Sequence, residues 1–133
     1  MNVLFVCTAN SGRSVLSERI FERQSAGRYH ARSAGSRPGT EAHAQVVEAL
    51  LEIGIDATDH VPQKLTQELV DWADVVVATC DDSCPYVPGK RYRNWNLPDP
   101  KNEPVDRVRE LRDDIAVRVE ALVRELDDAN VPA

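Results

Sequence analysis

Two stretches of this chain are apolar without a break: Val3-Leu4-Phe5-Val6 near the start, and Val75-Val76-Val77-Ala78 within a run over residues 74–80. A strand with one wet face alternates polar and apolar side chains. An unbroken run must be covered on both faces, which is the habit of strands in parallel sheets. Elsewhere the apolar residues recur at threes and fours, the period of a helix with one buried face. Val15, Leu16 and Ile20 make the first such stripe, and Val46, Val47, Leu50 and Leu51 the second. From Val105 onward Val108, Leu111, Ile115, Val119, Leu122 and Leu126 make a long last one.

Strands alternating with helices predict an α/β domain, a four-stranded parallel sheet flanked by helices on both faces and joined by right-handed crossovers. Residues 29–33 and 92–97 read as the two weaker strands. Thr40 reads as the cap of the second helix and Gly54 as its end, residues 65–73 as a short helix with Thr66 near its start, and residues 127–133 as a frayed tail. The 133 residues suffice for one domain, spanning 1–133, that buries a core without staples. A net charge of -6 argues against general nucleic-acid binding, so any affinity for anions must be local. No stretch is apolar for long enough to span a bilayer, and the start lacks the pattern of a secretory signal, so a cytoplasmic protein with no membrane contact is expected; a monomer is expected as well. Three cysteines in a chain with a full-sized core are reactive or simply buried, not a disulfide framework.

The first apolar run ends in Cys7-Thr8-Ala9-Asn10-Ser11-Gly12-Arg13-Ser14, and Ser14 opens the first helical stripe. A loop this short can turn its backbone N–H groups toward one point, and the positive end of the helix faces the same point. Residues 8–14, that is Thr8, Ala9, Asn10, Ser11, Gly12, Arg13 and Ser14, therefore read as an oxyanion cradle. A thiol at its base is drawn toward thiolate by the N–H groups and by Arg13, with the Ser14 hydroxyl able to bond the sulfur. Cys7 reads as a nucleophile toward a tetrahedral oxyanion. The simpler reading of Cys7 as a buried strand-end cysteine explains the thiol but not its company.

Cys80 and Cys84 stand with three residues between them, directly after the second apolar run. Zinc wants four ligands in paired spacing, and His30, His43 and His60 are scattered, so no metal is expected there. The two thiols instead suit a relay in which Cys80 attacks a sulfur species on Cys7 and Cys84 then takes over the disulfide. Each step needs the paired cysteine Cα atoms within about 4.4 to 6.8 Å, so the loop must rearrange during turnover. Asp99 is fixed between Pro98 and Pro100, after a strand expected to end beside Cys7, and can protonate an oxygen leaving the oxyanion. His30, His43 and His60 read as surface or capping residues, and Trp72 and Trp95 as packing.

Taken together, the loop from Cys7 to Ser14, the segment Ser33-Ala34-Gly35 and the pair Asp99-Pro100 resemble the low-molecular-weight protein tyrosine phosphatase family over essentially the whole chain. Cys80 and Cys84 make the chain similar to the arsenate reductases of that family. The resemblance implies that Cys7 attacks arsenate, that Arg13 and the loop amides hold it, that Asp99 protonates the departing oxygen, and that Asn10 and Ser14 orient the cradle. It implies release of arsenite, with a thioredoxin-like protein or another thiol donor resetting the relay and no resident cofactor. The best-known thioredoxin-coupled members space their second and third cysteines more widely. Some members hold a potassium ion near the cradle; Asn10, Glu18 and Ser33 can offer oxygens for one, but Val61 and Gln63 fall where better ligands would be expected. The alternative is a phosphatase acting on phosphotyrosine or a small phosphoester through Cys7, Arg13 and Asp99. Such an enzyme wants aromatic walls, and Lys101-Asn102-Glu103 follow Pro100 instead. A sensor using the same thiols without turnover is the more distant possibility.

Overall fold

The computed structural model describes residues 1–80 and 91–129. Its elements in chain order are β1 (Asn2–Cys7), α1 (Arg13–Ser25), β2 (His30–Gly35), α2 (Ala44–Glu52), α3 (Gln67–Trp72), β3 (Val75–Ala78), β4 (Arg91–Asn94) and α4 (Val105–Ala129). The four strands form one parallel sheet in the order β2-β1-β3-β4. The expected fold class is the observed one.

The unbroken apolar runs became the two central strands because both faces of the sheet are covered. Val3, Phe5, Val75 and Val77 point into the larger core with α1, α2 and α4, while Leu4, Val6 and Val76 point the other way, against Leu69 of α3. In the larger core the Phe5 ring meets Phe21 edge-on at 5.5 Å and Trp95 at 5.9 Å. Thr66 caps α3, its hydroxyl accepting the Leu69 N–H at 3.3 Å. α2 is clamped to α4 by Glu52, which takes both Arg109 and Arg112. Hydrogen bonds from Arg109 foremost, then Arg112, hold the Glu52 carboxyl at about 2, well below its ordinary value. No helix among the described residues is long and apolar enough to cross a membrane.

Three local expectations are corrected. α2 begins at Ala44, with His43 at its cap position, and not after Thr40. The backbone before it has other work: the N–H groups of Arg37, Gly39 and His43 donate to the carbonyls of Thr8, Ala9 and Ser11, laying the segment over the cradle. α4 runs on through Asp127 to Ala129, because Asp127 accepts from the Tyr29 hydroxyl at 2.7 Å and pairs with Arg28. β4 stops at Asn94, short of residue 97, as Asn96 turns to a φ of 48°.

The strand order puts β1 in the middle of the sheet. Cys7 at its carboxyl end is therefore flanked by Gly35 of β2 on one side and by the end of β3 on the other. The crevice beyond the carboxyl ends of such strands is where parallel α/β proteins place their ligands.

Candidate active site

Cys7 is a free thiol, 2% exposed, at the bottom of the loop that joins β1 to α1. Its sulfur accepts the Asn10 backbone N–H at 3.2 Å and lies 2.9 Å from the Ser14 hydroxyl oxygen. Asn10 Nδ2 donates to that same hydroxyl oxygen at 2.8 Å. Because a lone pair of Ser14 is taken by the amide, its proton is left to point at the sulfur. Asn10 sits at a φ of 52°, a left-handed turn that asparagine tolerates better than most residues, and this turn folds the loop back on the sulfur. α1 starts after Gly12 without a side-chain cap and with no acidic residue in its first turn, so its end keeps its positive potential for an anion.

The cradle is buttressed from three sides. β2 approaches so closely that a Cβ on Gly35 would lie 2.4 Å from the Thr8 carbonyl oxygen, which only glycine allows. The segment before α2 donates to the carbonyls of Thr8, Ala9 and Ser11. Residues 60–63 close the third side. Gln63 N–H donates to Asn10 Oδ1 at 3.0 Å, and His60 Nε2 lies 2.8 Å from the Asn10 carbonyl oxygen. A carbonyl can only accept, so the His60 ring carries a proton on Nε2; burial lowers its basicity, and the hydrogen bond to Asn10 works against that.

Arg13 is buried, with its guanidinium donating to the Leu97 carbonyl at 3.2 Å and lying 3.8 Å from a carboxylate oxygen of Asp99. The Asp99 side chain is 54% exposed, at the mouth of the site, and its other oxygen accepts the Lys101 N–H at 3.0 Å. A Cβ on Gly12 would come within 2.6 Å of Pro100 Cγ, so the loop bearing Asp99 rests directly on the cradle. His43 belongs to the same neighbourhood. Burial lowers its basicity, the charge of Asp99 works against that, and Lys101 and Arg13 add to it. Beside Asp99 opens a cleft of about 460 Å³ whose lining includes Arg107 and Leu111 as well as Glu103, Glu110 and Asp114.

The structure thus brings Cys7, residues 8–14 and Asp99 to one place. Cys80 is fully buried and disulfide-bonded, two residues beyond the end of β3, next to β1. Cys84 lies outside the described residues. His60, a surface or capping residue by its sequence context, instead meets the cradle, and no neighbour in the chain marks it, since its contact with Asn10 spans 50 positions. The oxygens considered for potassium have protein donors on them. Asn10 Oδ1 takes the Gln63 N–H, the Ser33 carbonyl takes Gln63 Nε2 at 3.0 Å, and Glu18 takes the Ser33 hydroxyl at 3.1 Å.

A parallel α/β sheet with a buried free thiol at the end of its central strand, under a loop that turns back on the sulfur, is the architecture of the cysteine-based, phosphatase-like enzymes. The chain matches the low molecular weight phosphotyrosine protein phosphatase family over residues 2–131 and belongs to it. It is 32% identical over 130 residues to a putative arsenate reductase of Halobacterium salinarum, covering 92% of this chain and 91% of that one. Among solved structures it resembles a thioredoxin-dependent arsenate reductase of Corynebacterium glutamicum, with 33% identity and a TM-score of 0.82 over 97% of this chain. The chain spans 63% of that protein's length. A low molecular weight protein tyrosine phosphatase of T. tengcongensis is 28% identical with the same TM-score of 0.82, over 94% of this chain and 99% of that one.

Proposed function

We propose that this enzyme reduces arsenate to arsenite by a relay of three thiols. The observation that carries the reading is the state of the cysteines: Cys7 is free in the cradle while Cys80, at the neighbouring strand end, is in a disulfide. A phosphatase needs only the first thiol. The arsenate reductases among the similar proteins support the same reading.

Arsenate would enter the cradle between the loop N–H groups, the α1 terminus and Arg13. The Cys7 thiolate attacks arsenic, Asp99 protonates the departing oxygen, and water leaves with a sulfur–arsenic bond formed. Cys80 then attacks Cys7 Sγ. The sulfur–arsenic bond breaks with its electron pair staying on arsenic, which leaves as arsenite, and a disulfide joins Cys7 to Cys80. Attack by Cys84 on Cys80 frees Cys7 and moves the disulfide to the outer pair. Two electrons have passed from two thiols to arsenic, and a dithiol protein of the thioredoxin class returns them.

Phosphoester hydrolysis through Cys7, Arg13 and Asp99 is the second reading, since phosphate and arsenate share shape and charge. The cleft beside Asp99 mixes Pro98, Pro100 and Leu111 with Arg107 and three carboxylates and does not separate the two substrates; the disulfide at Cys80, which hydrolysis does not need, is what favours arsenate.

The test is arsenate-dependent NADPH consumption coupled through thioredoxin and its reductase, beside aryl phosphate hydrolysis by the same sample. Consumption that is lost in Cys7→Ser and limited to a single turnover in Cys84→Ser supports the relay. Continued turnover in Cys84→Ser, or phosphate hydrolysis alone, overturns it.

A further inference from the structure

Gln63 makes three contacts that together tie the cradle to β2. Its backbone N–H donates to Asn10 Oδ1 at 3.0 Å, its carbonyl accepts the Gly35 N–H at 2.9 Å, and its side-chain Nε2 donates to the Ser33 carbonyl at 3.0 Å. Asn10 in turn donates to Ser14, whose hydroxyl faces the Cys7 sulfur. An unbroken path of hydrogen bonds therefore leads from β2 through Gln63 and Asn10 to the nucleophile. The orientation of the Asn10 amide is decided within it, because Oδ1 is held by Gln63 and Nδ2 must then face Ser14.

The geometry points to Gln63 as a positioning residue that replaces a bound cation: its carboxamide joins Ser33 to the cradle, and the cradle needs no potassium. A cation between Asn10, Glu18 and Ser33 would need their oxygens turned toward it. A carboxamide NH₂ aimed at the Ser33 carbonyl instead puts the positive end of a dipole there, which repels a cation and satisfies the same acceptor. Asn10 Oδ1 already faces an N–H, and Glu18 already faces the Ser33 hydroxyl. Val61 is 75% exposed and offers no side-chain oxygen. The inference concerns the cradle and holds whichever oxyanion the enzyme turns over.

Two readouts that involve no arsenate test it on the full chain. Thermal unfolding is followed in potassium, sodium and tetramethylammonium chloride at equal ionic strength. The rate and pH profile of Cys7 alkylation by iodoacetamide are followed with the Cys80 disulfide intact, so that Cys7 is the thiol that reacts. The wild-type protein is expected to give the same midpoint and the same alkylation profile in all three salts. Gln63→Ala is expected to slow alkylation several-fold and move its profile to higher pH in every salt. Gln63→Asp, which offers a carboxylate in place of the amide donor, is expected to be stabilised by potassium and not by tetramethylammonium. A saturable rise of the wild-type midpoint specific to potassium overturns the proposal. So does a Gln63→Ala protein that alkylates like wild type, and both results can be read even if Gln63→Asp does not fold.

Discussion

Gly12 and Pro100 touch across the site so closely that a single added carbon on Gly12 would sit 2.6 Å from Pro100 Cγ. The loop that holds the nucleophile and the loop that holds Asp99 are therefore one packed unit. Gly12→Ala must push the Pro98-to-Pro100 segment outward, taking Asp99 with it. A displacement of about 1 Å can cost about 100-fold in rate, so the variant is expected to lose about 10- to 100-fold in single-turnover arsenate reduction. Its Cys7 alkylation should stay near wild type, since the cradle's own hydrogen bonds are untouched.

Ser14→Ala removes the hydroxyl that lies 2.9 Å from the Cys7 sulfur. A hydrogen bond to a charged group is worth about 1.5 to 3 kcal/mol. Cys7 alkylation at neutral pH is expected to slow about tenfold or more. The Asn10 amide loses its acceptor in the same variant, so Asn10→Ala and Ser14→Ala should be far from additive when combined.

Asp99→Asn is expected to slow the first chemical step about 100-fold or more and to leave phosphate competition for the site nearly unchanged. Asp99 is half exposed and 3.8 Å from Arg13, too loosely placed to hold the anion site together. Loss of phosphate binding in this variant would assign Asp99 a structural role.

Glu18 carries a stability cost that depends on pH. Burial first, and the charge of Glu22 second, raise its carboxyl from 4.5 to about 7, against the help of the Ser33 hydroxyl. The folded state holds this proton over a range where the unfolded chain has lost it. Stability from this group is thus full below about 4.5, declines as pH rises, and is gone above about 7. Glu18→Gln keeps an acceptor for Ser33 without the charge. In sodium buffer the variant should be more stable than wild type at pH 8 by about 1 to 3 kcal/mol in denaturant titration, and no more stable at pH 4.

Most of the fold was legible because it rests on periodicities that burial alone imposes. Val3 to Val6 and Val75 to Ala78 are apolar at every position because the central strands of a parallel sheet have no wet face, and α4 shows its stripe from Val108 to Leu126 because one side of it lies on the core. The places where the reading slipped are those where backbone groups found partners far away in the chain. Thr40 has the chemistry of a cap, but the N–H groups of Gly39 and His43 are spent on the carbonyls of Ala9 and Ser11 far upstream in the cradle, and the helix cannot begin until Ala44.

The candidate site divides in the same way. The local order Cys7 to Ser14 determines by itself a thiol, a tight turn and a helix start in one place, because a strand–loop–helix of that length has little freedom to put them elsewhere. The meeting of Arg13 with Asp99, of Gly35 with Thr8 and of His60 and Gln63 with Asn10 was decided by tertiary structure. These contacts join residues tens of positions apart, and their partners are polar or small, so no apolar period announces them. Only the order of strands in the sheet, with β1 between β2 and β3, carries those segments to the one edge where Cys7 ends its strand.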